Sequence, residues 1–184
     1  MQRLNIALIG FRATGKSTVG EILARKLGLR FIDMDRRLAS ESGRDIDTWV
    51  KQEGWGSFRR AESRLLQTIS LHKGLVVATG GGIVLDPQNR TMLREHFFTV
   101  WLKAAPPTIQ TRLNADPGSP RTRPPLSDLP IQEEIIQILA EREPLYSQVA
   151  DLEIDTGVER AVRIAEQIVK AVNKMGSGGL KTHH

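Results

Sequence analysis

The chain has 184 residues, enough for one compact domain with a real core and too few for two domains of ordinary size. With 40% hydrophobic and 26% charged residues it is neither disordered nor fibrous. With no cysteine it has no disulfide scaffold, no Cys-ligated zinc or iron–sulfur site and no thiol nucleophile. A net charge of +5 raises nucleic acid as a partner. No run of five like charges occurs, however, and the basic pairs (Arg36-Arg37, Arg59-Arg60, Arg121 and Arg123) are scattered. Small anionic ligands are the competing explanation. The apolar stretch before Gly10 is too short for a signal sequence or a membrane span, so a cytoplasmic protein with no membrane partner is expected.

In chain order, short β-rich runs alternate with amphipathic stretches. Residues 4–9, 30–32, 75–78, 97–102 and 152–154 read as strands, mostly continuous apolar runs of the kind buried on both faces of a parallel sheet. Residues 16–27 form a helix with Val19, Ile22, Leu23 and Leu27 on one stripe and Gly28 as its stop signal. Further helices are expected at 57–71, after the cap Asp86-Pro87, at 131–146 and at 158–172. Strands separated by helices predict an α/β doubly wound parallel sheet with right-handed crossovers. Residues 114–130, with five prolines and no periodicity, read as a mobile loop, and 176–184 as a disordered tail of linker composition.

Gly10-Phe11-Arg12-Ala13-Thr14-Gly15-Lys16-Ser17 fits G-x-x-x-x-G-K-[ST], placed after a buried strand and opening a helix as the motif requires. Its glycines let backbone N–H groups wrap phosphates at a positive helix terminus. Lys16 reaches the β- and γ-phosphates, and the Ser17 hydroxyl ligates Mg²⁺. No Asp has Gly three residues later and Asn173-Lys174-Met175-Gly176 lacks the guanine-reading Asp, which excludes a GTPase. The strand 75–78 runs into Thr79-Gly80-Gly81-Gly82 rather than Asp-Glu, which argues against a motor ATPase. A small-molecule kinase is left.

On the acceptor side, Asp33 and Asp35 lie two residues apart at a strand end beside the phosphate loop, on one side of an extended chain. Asp33 suits Mg²⁺ held through water, and Asp35 suits hydrogen bonds from substrate hydroxyls. Two acids there also make an N-cap pair, although the neighbouring phosphate loop favours the ligand role. Arg59 and Glu62 can pair on one helix face, in isolation a surface ion pair. The glycine triplet 80–82 suggests that a ligand approaches the main chain closely.

Taken in order, Gly-x-x-x-x-Gly-Lys-Ser, Asp33-x-Asp35, Phe58-Arg59-x-x-Glu62, Gly80 to Gly82, Arg123-Pro124 and Arg142-x-Pro-Leu-Tyr resemble the shikimate kinase family over residues 4–172. The resemblance implies a nucleoside-monophosphate-kinase-like, three-layer α/β/α fold with a five-stranded parallel sheet in order 2-3-1-4-5. A single domain over 1–175 would carry a substrate-binding segment at 36–62 and a lid at 114–130. It implies ATP- and Mg²⁺-dependent phosphorylation of the 3-hydroxyl of shikimate by a monomer that binds no nucleic acid. ATP would be bound by Ala13, Thr14, Gly15, Lys16, Ser17, Thr18 and the lid residue Arg123, with Mg²⁺ on Ser17 and, through water, Asp33. Asp35 would hold the hydroxyls and take the proton, Arg59 and Arg142 would hold the carboxylate with a Gly81 N–H, and Glu62 would orient Arg59. Lys16, Asp35 and Arg123 are the residues implied in the chemistry.

Three positions depart from the family pattern. Ala13 stands where Gly is usual, which calls for φ < 0 there or for a mildly strained loop. Gly54-Trp55 replaces Gly-Glu and reshapes the substrate helix, and an expanded lid makes Arg121 an alternative to Arg123. A kinase for another hydroxylated acid such as gluconate is the competing activity, and a nucleic-acid-binding module the competing class.

Overall fold

The computed structural model describes residues 4–116, 125–127 and 129–177. Strand β1 (Ile6–Ile9) is central and wholly buried, pairing in parallel with β3 (Leu75–Ala78) on one side and β4 (Phe98–Lys103) on the other. Strands β2 (Arg30–Asp33) and β5 (Leu152–Asp155) close the edges, so the sheet is all-parallel in the order β2-β3-β1-β4-β5, as expected.

The period of two along β1 splits the core into layers. Ala7 and Ile9 face a cluster built from α2 (Met34–Ser42), α3 (Ile46–Ser70) and α4 (Pro87–His96). Ile6 and Leu8 face α1 (Lys16–Leu27) and α7 (Ala161–Ser177). A third cluster lies around Phe11, where α5 (Pro106–Ala115) packs on α6 (Ile131–Ser147). No helix among the described residues is long and apolar enough to cross a membrane.

Most boundaries follow the local signals. Gly28 stops α1 in the left-handed region at φ 63, and Asp86 caps α4 by accepting from the Gln88 N–H. Helix α2 is unanticipated because it buries only Met34 and Leu38, too narrow a stripe to read in a polar run. The first half of α3 is also unanticipated. Gly54, at φ 76 and ψ 165, joins two helical pieces across a kink, so the helix expected at 57 starts at Ile46. Helix α5 opens on two prolines, which suit the first turn, and buries Ile109 and Leu113. The last helix begins at Ala161 rather than 158, leaving Val158 exposed, and it continues through Ser177, two residues into the expected tail. The rest of that tail, and Arg121 and Arg123 of the expected lid, lie outside the described residues.

Candidate active site

The phosphate loop spans the turn from β1 to α1. Gly10 (φ 137) has no room for a side chain, because a Cβ would strike the Leu102 carbonyl on the neighbouring strand. Ala13 sits at φ 61, the one non-glycine residue with positive φ among the described residues. The φ < 0 alternative is therefore wrong, and the loop carries the strain of an alanine in a left-handed conformation. Ala13→Gly should raise stability by about 0.5–1 kcal/mol, a rise of roughly 2–4 °C in the thermal midpoint, without changing the loop's shape. Lys16 is buried against the loop, its Nζ donating to the Gly10 and Phe11 carbonyls at 2.9 and 2.8 Å. Thr14 Oγ1 also donates to the Phe11 carbonyl.

Ser17 Oγ donates to Asp33 Oδ2 at 2.5 Å, and Asp33 Oδ1 accepts from the Arg36 N–H at 3.1 Å. Asp33 is thus the N-cap of α2, as one of its two readings had it, and is at the same time in contact with Ser17 at the head of α1. Asp35 is not on an extended strand end, because it lies in the first turn of α2. It still reaches the site, since the helix starts immediately at the carboxyl end of β2. Burial, reinforced by Glu62 and Asp33, pushes the Asp35 carboxyl up to about 7 against the pull of Lys16 and Arg59.

A cavity opens beside the loop, lined by Asp35, Trp55, Arg59, Glu62, the glycine triplet and Arg142. Arg59 pairs with Glu62, a carboxylate with no exposed surface whose titration burial drives upward. The Arg59 guanidinium also lies 4.9 Å from the Trp55 ring centroid, and Trp55 meets Phe58 edge-on at 5.8 Å. The departure at Trp55 therefore leaves Arg59 resting on an aromatic wall just past the Gly54 kink. The triplet has a cause the sequence did not show. A Cβ at Gly80 would fall on Glu62 Oε1 and one at Gly82 on the Arg59 guanidinium, so the protein's own side chains need this space, while all three glycines also line the cavity. At Gly81 the carbonyl is engaged, accepting from Arg142 Nη1 and the Tyr146 hydroxyl.

A second, larger cleft runs along the phosphate loop past Asp33 and Thr79 to Arg112 and Thr156. Arg12, Asp35 and Gly81 line both spaces. All of the sequence-derived residues within the described part come together here: Ala13 to Thr18 and Asp33 on the larger cleft, Arg59 and Arg142 on the smaller, Asp35 and Gly81 between them.

Three residues around the site are given no role by the sequence, although Tyr146 closes the Arg142-x-Pro-Leu-Tyr motif. Arg112 ties the Ala13 carbonyl to Thr156. Glu134, in the first turn of α6, pairs with Arg12 through one oxygen and accepts from the Leu126 and Ser127 N–H groups through the other. It is buried, and Leu126 forms part of the acceptor wall. Tyr146, fully buried, holds Gly81. Glutamate in a helical first turn reads as an ordinary response to the helix dipole, so only its burial marks it out.

The sequence and the fold are shared with known proteins. Residues 12–173 match the family described as shikimate kinase. Shikimate kinase 2 of Yersinia enterocolitica is 42% identical over 164 residues, spanning 89% of this chain and 92% of that protein. Among solved structures, the shikimate kinase from Acinetobacter baumannii in complex with shikimate aligns with a TM-score of 0.88 at 32% identity, covering 97% of this chain and 96% of its own. The Aquifex aeolicus shikimate kinase aligns with a TM-score of 0.78 at 27% identity, covering 96% of this chain and 100% of its own.

Proposed function

The chain belongs to the shikimate kinase family, and from that premise we propose that it transfers the γ-phosphoryl group of ATP to the 3-hydroxyl of shikimate, with Mg²⁺, forming shikimate 3-phosphate. The observation that carries the reading is the placement of Asp35 on both the phosphate-loop cleft and the acceptor cavity. A carboxylate at that junction can hold the acceptor hydroxyl in line with the terminal phosphate. The hydroxyl oxygen bonds to the γ-phosphorus as the bond from that phosphorus to the β–γ bridging oxygen breaks. The hydroxyl proton passes to Asp35, and ADP leaves.

The loop amides and Lys16 bind the phosphates, Lys16 exchanging its two loop carbonyls for phosphate oxygens. Arg59 and Arg142 form the carboxylate site, since guanidinium forks match a carboxylate bidentately. Glu62 keeps Arg59 oriented. Ser17 Oγ and Asp33 Oδ2, in contact at the head of α1, are hard oxygen donors that fit an ion held by one or two protein groups, waters and substrate phosphates. Bound there, with Asp33 acting through water, Mg²⁺ neutralises charge on the β- and γ-phosphates. Arg123 is assigned to ATP by family resemblance. The same reading takes the enzyme to be a cytoplasmic monomer.

A coupled ADP-release assay tests the assignment. ADP release should require both shikimate and Mg²⁺, with gluconate and other hydroxy acids at background. Turnover of gluconate with none of shikimate would overturn it.

A further inference from the structure

The single tyrosine of the chain lies at the end of α6 with no exposed surface, its ring 5.6 Å from that of Trp101 on β4. Phenylalanine would fill that volume equally well. A hydroxyl in such a place must find a partner or its burial is costly. Here it donates to the Gly81 carbonyl at 2.5 Å, and burial pushes its own ionisation up to about 12, so it stays a neutral donor. The same carbonyl accepts from Arg142 Nη1 at 3.2 Å. Arg142 and Tyr146, one helical turn apart on α6, therefore converge on the Gly81 carbonyl beneath the acceptor cavity.

Each carbonyl of the triplet is thus tied down. Gly80 and Gly82 accept from the Ile83 and Leu85 N–H groups in the short 3₁₀ turn Ile83–Leu85, and Gly81 from the two side chains of α6. The buried Nε of Arg142 has no hydrogen-bond partner among the described residues, while Arg142 lines the acceptor cavity. One part of its guanidinium is used inward, and donor capacity is left for a carboxylate.

We propose that Tyr146 is a positioning residue for the acceptor: through the Gly81 carbonyl it fixes the orientation of both the 81–82 peptide and the Arg142 guanidinium, and so aligns the carboxylate end of the substrate. The inference rests on the shikimate reading above. The side chain touches no substrate and acts through its two neighbours. Its contribution falls on acceptor binding, because Arg142 lines only the acceptor cavity and the Gly81 carbonyl, although Gly81 borders both spaces, is turned to Arg142 and Tyr146.

Tyr146→Phe keeps the ring and removes the hydroxyl. KM for shikimate should rise roughly 5- to 15-fold, the loss of one well-placed buried hydrogen bond, with KM for ATP and the thermal midpoint close to the parent values. The preference for shikimate over its uncharged carboxamide should shrink by a similar factor, because what is lost is alignment to a carboxylate. A KM for shikimate within about twofold of the parent, or a loss shared equally by the carboxamide or by ATP, would overturn the proposal. The parent is assayed first. If it does not turn over shikimate, the function reading fails by itself, and the same comparison then runs on the hydroxy acid it does phosphorylate and the amide of that acid.

Discussion

Asp35→Asn is expected to lower kcat by about 10²- to 10⁴-fold and, at the same time, to make the unliganded protein more stable at pH 8. Both effects come from one environment. Asp35 is held among Glu62 and Asp33 in a buried site that pushes its carboxyl from 3.8 up to about 7. Between those two values the folded state binds more protons than the unfolded state, so stability falls as pH rises across the window, and the full cost is present above pH 7. That cost is on the order of 3–4 kcal/mol, which a neutral, isosteric Asn avoids. The proposed proton transfer to Asp35 needs the ionised form, so kcat/KM of the parent should climb as pH rises through about 7 and then level off. Urea denaturation of parent and variant at pH 5 and pH 8 reads the stability difference, which should be larger at pH 8. A variant keeping a tenth or more of the parent kcat would remove Asp35 from the chemistry.

Arg59→Ala should reduce kcat/KM for shikimate by about 100-fold or more, on the order of 3 kcal/mol, with KM for ATP little changed. The side chain is a fork facing the acceptor cavity, braced by Glu62 below and by the Trp55 and Phe58 rings beside it. Removing it also strands Glu62, a fully buried carboxylate, which by itself costs about 3–5 kcal/mol of stability. The two consequences separate in the double variant Arg59→Ala with Glu62→Gln, which should recover most of the lost stability and none of the activity. If the double variant regained turnover as well as stability, the role of Arg59 would be structural rather than in substrate binding.

Several parts of the site are visible along the chain because their geometry is set within a few residues. The phosphate loop is one: Gly15 and Lys16 take their conformations from neighbours in the same turn, and the motif and the turn are the same object, although Gly10 also makes way for the Leu102 carbonyl of β4. The pairing of Arg59 with Glu62, three positions apart on α3, is another. Asp35 lies beside the phosphate loop by a route the sequence did not show, since it projects from the first turn of a helix rather than from a strand. Helices α2 and α5 are hidden because each buries only two residues one turn apart, which leaves no periodic stripe to read.

Other parts depend on residues far apart in the chain. Glu134 meets Arg12 across 122 positions, and Tyr146 meets Gly81 across 65. The glycine triplet reads as room left for a ligand, and the fold adds a second demand for that room from Glu62 and Arg59, a fact no local pattern contains. The sequence by itself determined an α/β chain with a phosphate loop, the family, and the charged groups available for a phosphate and a carboxylate. Only the tertiary structure decided that Asp35, Arg12 and Gly81 stand between two cavities, that Ala13 is strained, and that Tyr146 and Glu134 hold the site from below. Local hydrogen bonding and side-chain period set the backbone of each element. The site, by contrast, exists only where the carboxyl ends of parallel strands are brought side by side, and there burial rather than residue type decides which charges are held fixed.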